Sequence, residues 1–114
     1  MIKNLSSKKI LVSKKTSSDS LLFKFKGLMF SPGLKDQGLI FIFNEEKKVQ
    51  LHMFFVFFPI DVIFLDSNKK VVEVKKKLMP FTIYNPKEKA KYILELPIGT
   101  VEKSKTKIGD LIEF

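Results

Sequence analysis

The sequence predicts a mainly β protein, a compact antiparallel β sandwich or barrel of jelly-roll type with one or two short helices. Many short apolar runs alternate with turn residues at intervals of roughly eight to twelve residues, a pattern typical of sandwiches and barrels. Long helical patterns between these runs are absent, which argues against a parallel α/β sheet. The clearest part is residues 38–66, where three apolar segments are separated by a charged turn and by Pro59.

The N-terminal part of the chain predicts one strand and one ambiguous element. Residues 9–13 (KILVS) form the first predicted strand. The cluster at residues 17–19 is typical of a helix start, because its side-chain oxygens can accept hydrogen bonds from unpaired backbone N–H groups. Apolar residues then recur at helical spacing as far as Met29, although residues 23–26 (FKFK) also alternate at strand spacing. Residues 31–33 (SPG) end either element.

The sequence at the centre of the chain predicts a hairpin and then a further strand. Residues 38–43 form the first strand of this hairpin, residues 44–47 its turn and residues 49–55 the returning strand. Pro59 cannot donate a ladder hydrogen bond, so it marks a strand start, a bulge or a corner between sheets. The next predicted strand is Ile60–Leu65.

A turn, a return strand and a loop are predicted after this strand. Residues 66–69 (DSNK) have the composition of a turn, and residues 71–74 return from it. The lysines of residues 75–77 are predicted to lie on a solvated sheet edge, where they oppose edge-to-edge pairing. Residues 80–89 contain two prolines and are predicted to form a loop.

The last part of the chain predicts a strand, a short helix and a closing strand. Residues 91–96 form a strand that ends at the following proline. Thr100 is predicted to cap a short helix that continues to about Lys105. Residues 109–110 (GD) form a turn before the closing strand, residues 111–114.

Composition limits the class of protein. The 114 residues, 45% of them hydrophobic, predict a single domain over residues 1–114 with a genuine core. The absence of cysteine excludes disulfides and thiolate chemistry and fits a cytoplasmic location, which we expect. The most apolar run, residues 51–65, is shorter than the roughly 20 residues of a spanning helix and contains histidine, proline and aspartate, so neither a membrane segment nor a membrane partner is predicted.

The positive charge is unevenly distributed. The net charge is +9, all 21 basic residues are lysine, and residues 1–35 carry eight lysines against one acid. A basic segment of this kind suggests a polyanion as partner. The missing arginine argues the other way, because the guanidinium fork is preferred for bidentate contacts with phosphate and base edges.

Several short motifs follow one another in a fixed order. They are Lys26-Gly27-Leu28-Met29-Phe30, Gly38-Leu39-Ile40-Phe41, Met53, Pro59-Ile60-Asp61, Phe64 to Asp66, Leu94-Glu95-Leu96-Pro97, Gly99-Thr100 and Gly109-Asp110. In order and spacing, from about Ile10 to the C-terminus, the chain resembles the domain-of-unknown-function family 192 of small archaeal and bacterial proteins. The resemblance implies a compact antiparallel, jelly-roll-like β fold and no established activity. Many bacterial members have tryptophan before the methionine and a polar stretch after it, where this chain has His52 and Phe54-Phe55-Val56.

Four candidate ligand-binding residues emerge: His52, Asp61, Glu95 and Lys26. His52 is interpreted as a half-exposed strand residue, with a general base or metal ligand as the alternative. Asp61 and Glu95 lie in apolar strands, where an unpaired buried carboxylate costs about several kcal/mol. Asp61 is therefore expected to be paired, hydrogen-bonded to backbone at the proline corner, or exposed in a cleft. Lys26 is a candidate partner for either acid, and a structural Lys26–Asp61 ion pair is one hypothesis.

The sequence supports three functions from different classes. The first is a non-enzymatic module that binds an unknown small ligand or protein at a barrel end or sheet face. The alternative is nucleic-acid or polyanion binding through the lysine-rich N-terminal third, where Phe23 and Phe25 are interleaved with lysines. The third is a carboxylate-dependent enzyme using Asp61, with two-carboxylate chemistry that adds Glu95 as an open variant. Scattered glycines and a single histidine without cysteine predict no catalytic set, cofactor or metal site.

Overall fold

The computed structural model describes residues 1–18 and 35–114. Within these ranges the chain forms the following elements: β1 (Ile2–Asn4), β2 (Lys9–Val12), β3 (Lys14–Ser18), β4 (Gln37–Lys47), β5 (Leu51–His52), β6 (Ile60–Leu65), β7 (Val71–Leu78), β8 (Ile83–Tyr84), β9 (Ala90–Pro97), α1 (Thr100–Lys103) and β10 (Ile112–Glu113). The strands form three sheets, in the orders β10-β1-β2, β3-β4-β9-β6-β7 and β5-β8. The mainly β prediction is confirmed. The sheets are not closed into a barrel, and β3 and β4 run parallel.

The five-stranded sheet is buried on both faces, and each face has its own core. All six residues of β6, which lies between β9 and β7, are buried, because successive side chains point to opposite faces and both faces are covered. The front core contains Leu39, Phe41, Phe43, Met53, Val56, Ile60, Val62, Phe64, Leu78, Ala90 and Ile93. The rear core contains Ile2, Leu11, Val12, Ile40, Ile63, Leu65, Val71, Leu94, Leu96, Val101 and Ile112.

Different parts of the chain cover the two faces. Segments around β5 and β8 pack on the front core, whereas the three-stranded sheet and α1 pack on the rear core. The rear contact is close at Gly38, where an added Cβ would lie 2.9 Å from Ile2 Cδ1, 3.0 Å from Leu96 Cδ2 and 3.2 Å from Val12 Cγ2. Gly38 is therefore favoured by the close approach of these side chains rather than by a turn, because a larger residue would displace them.

Several sequence predictions are confirmed. The strand Ile60–Leu65 begins directly after Pro59, which marks a strand start. In the turn that follows, Asp66 Oδ1 accepts backbone hydrogen bonds from Asn68 at 2.9 Å and from Lys70 at 3.0 Å. Strand β7 is the edge strand of the five-stranded sheet, and its lysines at residues 75–77 are partly or fully exposed.

The predicted hairpin of residues 38–43 and 49–55 is wrong. Residues 44–47 lie inside β4 rather than in a turn, and β4 pairs with β3 and β9. Of the predicted return strand only Leu51–His52 is extended, and it pairs with β8. Local alternation identifies a strand but not its partner, and here burial of both faces of β4 selects a partner about fifty residues away.

The predicted helix starts also differ from the structure. Ser17 and Ser18 lie in β3, and the rest of the predicted helix falls outside the described residues. Thr100 is the first residue of α1 rather than its cap, because Gly99 occupies the cap position with φ 87° and provides no side chain. Strand β1 was not predicted. Across residues 1–18 and 35–114, no helix is long and apolar enough to cross a membrane.

Candidate functional site

Asp61 is a buried carboxylate that joins three elements. Only 1% of it is exposed. Its Oδ2 accepts a hydrogen bond from the Val101 backbone N–H at 2.9 Å, and its Oδ1 accepts one from Lys77 N–H at 3.1 Å. The carboxylate thus takes the place of the missing side-chain cap of α1 and ties the end of β7 to β6. Lys26, its hypothesised partner, lies outside the described residues.

Glu95 lies on the other face of the same sheet. It stands opposite Leu39 and Val62, both in the front core. The residue as a whole is half-buried, but its Oε1 is buried and has no hydrogen-bond partner among the described residues. Burial raises the pKa of the Glu95 carboxyl to about 7, because a low-dielectric surrounding disfavours the charged form.

The two acids do not share a site. Asp61 alternates with front-core residues Ile60 and Val62, so its side chain points to the rear face, whereas Glu95 points to the front. Paired-carboxylate chemistry needs both groups beside one bond. The structure therefore separates the two acids that two-carboxylate chemistry would combine.

His52 lies at the surface in the short strand β5. Its side chain is exposed, and its ring stacks on Phe54 with centroids 5.2 Å apart. Its neighbour Met53 is buried in the front core, as strand alternation requires. In residues 1–18 and 35–114 no group of three or more histidines and acids is arranged to hold a metal ion.

The most unusual surface is an exposed apolar one, which we call the aromatic surface. It consists of Phe54, Phe55, Phe57, Met79, Phe81 and Ile83, each between 44 and 62% exposed. The Phe81 ring meets those of Phe57 and Phe55 edge-on, with centroid distances of 5.4 and 6.3 Å. Large exposed apolar patches are uncommon on soluble monomers and usually mark interaction sites.

The backbone beneath the aromatic surface is held by Met53. Its N–H donates to Thr82 O at 2.7 Å, and its carbonyl accepts hydrogen bonds from Phe81 N–H at 2.8 Å and Val56 N–H at 3.2 Å. Because the Met53 side chain is buried in the front core, both segments of the surface are anchored to the sheet. The aromatic rings are therefore presented by ordered backbone.

Two phenylalanines of this surface have strained backbone conformations. Phe55 has φ 58° and Phe81 has φ 60°, in the left-handed region. For a bulky residue without glycine's freedom this conformation is a genuine outlier that costs about 1–2 kcal/mol. Strain of this kind concentrates at functional sites, where the surrounding structure maintains it.

Sequence reasoning placed Phe54 and Phe55 in the return strand of a hairpin and Phe81 in a loop, and it did not predict an exposed aromatic surface. One signal could have identified the surface: residues 54–58 (FFVFF) are apolar without alternation, and one strand face can bury only every second side chain. Val56 and Phe58 are indeed the inward members, whereas Phe54, Phe55 and Phe57 face outward.

A concave region elsewhere on the described part of the chain carries charges of both signs. The cleft, of about 450 Å³, is lined by Val72 and by alternating charges: Glu46, Lys48, Asp66, Lys87, Glu88 and Lys89. Glu46 Oε2 accepts hydrogen bonds from Ser67 N–H at 2.8 Å and Ser67 Oγ at 2.7 Å, and these bonds lower the Glu46 pKa. Two of the acids in this cleft, Glu46 and Asp66, thus already have protein partners.

The loop beside this cleft is held by Glu73. The Tyr84 hydroxyl donates to Glu73 Oε2, while Glu73 Oε1 accepts backbone hydrogen bonds from Lys87 and Glu88, both at 2.9 Å. Burial, together with the hydrogen bond to Glu73, raises the Tyr84 pKa to about 12. Glu73 and Tyr84 therefore act as a structural clamp.

Comparison with known sequences identifies relatives without a known activity. The profile of the DUF192 family, described as "Uncharacterized ACR", matches residues 8–114. A UPF0127 protein of Thermococcus sibiricus is 37% identical over 116 residues, which cover 100% of this chain and 74% of the relative. A UPF0127 protein of Pyrococcus horikoshii is 42% identical over 99 residues, 85% of this chain and 84% of the relative. The chain spans 63% of the UPF0127 protein of Thermococcus gammatolerans.

Two solved structures share the fold. A Sinorhizobium meliloti protein, described as a candidate transcription regulator, superposes with a TM-score of 0.81 and 26% identity, covering 87% of this chain and 79% of that chain. A Novosphingobium aromaticivorans protein of unknown function has a TM-score of 0.81 at 24% identity and covers 88% of this chain and 74% of that chain. The second likeness concerns the fold alone.

Proposed function

This chain belongs to the DUF192 family, whose members here have no assigned activity, and we propose that it is a non-enzymatic binding module that receives an apolar segment of a partner protein on the aromatic surface. The observation that carries the proposal is the exposure of strained phenylalanines. Phe55 and Phe81 combine about half-exposed rings with left-handed backbone. Both features oppose stability, so a function that requires the rings at the surface accounts for them.

The shape and chemistry of the surface favour a protein segment over a small molecule. Small ligands are usually enclosed in a pocket, whereas the aromatic rings here stand on an open surface. Phenylalanine and methionine are typical of the apolar centre of protein interfaces. Exposed residues at the centre of such an interface are expected to dominate the binding energy, and Phe57 at 62% exposure is the foremost candidate.

Displayed peptides provide the direct test. A library of roughly twelve-residue peptides is selected on the immobilised full chain, and the best peptides are synthesised for fluorescence anisotropy. We expect peptides with apolar anchors and micromolar affinity, and amide NMR shifts confined to residues 51–57 and 79–84. Phe57→Ser is expected to weaken binding at least about tenfold, because a fully desolvated aromatic anchor is lost.

The matched control is Ile108→Ser, since Ile108 is 67% exposed but lies between α1 and β10, whose residues Val101 and Ile112 belong to the rear core. It is expected to change peptide affinity less than about twofold. Equal losses in the two variants, or peptide shifts away from the aromatic surface, would refute the proposal. A small-molecule cell extract added to the labelled protein tests the competing ligand type, because shifts confined to the surroundings of Glu95 would indicate a small ligand.

Nucleic-acid binding is the second candidate. The net charge of +9 and the fold neighbour described as a candidate transcription regulator support it, whereas the phenylalanines and lysines of residues 23–26 fall outside the described residues. Cytoplasmic location is part of the proposal as well, and the cysteine-free composition supports it.

A further inference from the structure

A second unusual surface lies on the rear side, where two loops distant in sequence meet. We call it the basic end and define it by Leu5, Lys8, Lys103, Lys105, Ile108 and Leu111. All six side chains are exposed. Ile108, at 67%, is the most exposed large apolar side chain of the described part of the chain. The basic end thus combines cationic and apolar groups without an aromatic ring.

Hydrogen bonds fix the two loops against each other. Ser7 Oγ donates to Ser104 O at 2.8 Å, and Leu5 N–H donates to Leu111 O at 2.8 Å. Beneath them, the buried Asn4 Nδ2 donates to Thr106 Oγ1 at 3.0 Å and to Asp110 Oδ2 at 2.9 Å. The lysines therefore project from an ordered polar base rather than from independent loops.

The acids nearby neutralise the basic end only in part. Burial alone would raise the Asp110 pKa, but hydrogen bonds from Asn4 and Lys107 outweigh it and hold the pKa below its usual value. Asp110 is 3% exposed and is paired with Lys107 Nζ at 2.9 Å. Of the acids in residues 100–110 only Glu102 is exposed. The exposed Asp36 also lies nearby, because hydrogen bonds from Ser13 and, to a smaller extent, the charge of Lys103 lower its pKa. Lys8, Lys103 and Lys105 have no salt-bridge partner among the described residues.

We propose that the basic end binds the surface of an anionic membrane, with the lysines at the lipid phosphates and Ile108 and Leu5 inserted between headgroups. Clustered lysines bind anionic lipid, each contributing a factor of about five in affinity near the surface. Exposed apolar side chains contribute to the free energy of membrane binding when they insert into the boundary between headgroups and acyl chains. A nucleic-acid backbone would use the lysines equally well but would leave Ile108, Leu5 and Leu111 in water.

Vesicle sedimentation of the full chain tests the proposal. Vesicles of phosphatidylcholine with roughly 30% phosphatidylserine are compared with pure phosphatidylcholine at about 100 mM and about 500 mM salt. We expect binding to the anionic vesicles at low salt and release at high salt. Lys8→Gln, Lys103→Gln and Lys105→Gln together are expected to weaken binding at least about tenfold. Ile108→Ser is expected to weaken it several-fold, at about 30% anionic lipid.

Two controls make the test specific. The triple variant Lys48→Gln, Lys76→Gln and Lys89→Gln has the same net charge and changes exposed lysines elsewhere, so it is expected to lose less than about threefold. Phe57→Ser, on the aromatic surface, is expected to change vesicle binding less than about twofold. Circular dichroism melts confirm that every variant is folded.

Four outcomes would overturn the proposal. Equal binding to neutral and anionic vesicles would show that the lysines do not contribute. Equal losses of affinity in the two triple variants would show that net charge matters and the position of the lysines does not. A large effect of Phe57→Ser would assign membrane contact to the aromatic surface instead. Binding to a duplex of roughly 20 base pairs that is unaffected by Ile108→Ser, without vesicle binding, would identify nucleic acid as the partner.

Discussion

Phe81 illustrates how one residue can be unfavourable for folding and useful at a surface. Its left-handed backbone, with φ 60°, is maintained by the hydrogen bond from its N–H to Met53 O. Phe81 is 52% exposed, because the contacts of its ring with Phe55 and Phe57 cover only part of it. The strain lies in the backbone of Phe81 and the exposure in its ring, so different substitutions can remove one without the other.

We predict that Phe81→Gly is more stable than Phe81→Ala by about 1 kcal/mol, because both remove the ring but only glycine relieves the left-handed strain. At Phe57, which is not among the residues with positive φ, the order is expected to reverse, since glycine adds chain entropy to the unfolded state. Urea unfolding of the four variants measures this. The same order at both positions would mean that Phe81 is not strained.

Glu95 should make stability depend on pH. Its folded-state pKa of about 7 lies above the ordinary value of 4.5, so between these values the folded state binds more protons than the unfolded state. Stability from the neutral carboxyl is therefore fully present below about pH 4.5 and is lost as the pH rises to about 7.

The corresponding prediction concerns Glu95→Gln, which keeps the shape and cannot ionise. Relative to the native chain it should be similar in stability near pH 4.5 and more stable at pH 8 by on the order of 2 kcal/mol. Urea unfolding at a series of pH values measures the difference, with Glu45→Gln on the exposed part of β4 as the control. A constant difference between the native chain and Glu95→Gln across this range would contradict the role of Glu95.

At the scale of elements, Asp61 connects strand β6 to helix α1 and to the end of β7. The helix has four residues and no side-chain cap of its own, and helices this short are not stable in isolation. The two backbone hydrogen bonds that Asp61 accepts, from Val101 and Lys77, therefore position both elements on β6.

Asp61→Asn is predicted to lower the free energy of unfolding by about 2–3 kcal/mol, because the amide can accept only one of the two bonds and its N–H₂ group faces a donor. Hydrogen exchange at the Val101 and Lys77 amides should accelerate. Asp66→Asn is the matched control: Asp66 also accepts two backbone bonds, but in an exposed turn, so about 1 kcal/mol or less is expected. Equal losses in the two variants would show that burial of Asp61 is unimportant.

For the whole molecule, the five-stranded sheet separates two exposed surfaces of different chemistry. The aromatic surface is attached to the front core through Met53. The basic end is attached to the rear side through α1 and the three-stranded sheet, whose residues Val101 and Ile2 belong to the rear core. A partner on one surface therefore leaves the other accessible.

Independence of the two surfaces is the resulting prediction. In the double variant Phe57→Ser and Ile108→Ser, the losses in peptide affinity and in vesicle affinity should each equal that of the relevant single variant within about 0.5 kcal/mol. Anisotropy and sedimentation on the same four proteins measure both. A peptide affinity that depends on Ile108, or a vesicle affinity that depends on Phe57, would show that the surfaces are coupled or shared.

The amino-acid sequence alone determined the β class and the elements whose signals are local. Ile60–Leu65, the turn after it and the strand that ends at Pro97 were all predicted close to their observed bounds. These signals are local because a continuous apolar run, a proline and turn residues restrict the backbone directly, whatever lies around them.

Only the tertiary structure decided which strands pair and which side chains reach the surface. The pairing of β4 with β9, the opposite faces of Asp61 and Glu95, and the exposure of Phe57 all depend on contacts between segments far apart in sequence. In an apolar run without alternation, the local sequence does not indicate which side chains point outward. In a loop that contains lysines, it does not indicate which other loop lies beside them. Burial of the two cores decides both the strand pairing and the exposed side chains, because the apolar area removed from water depends on the whole chain rather than on any one segment.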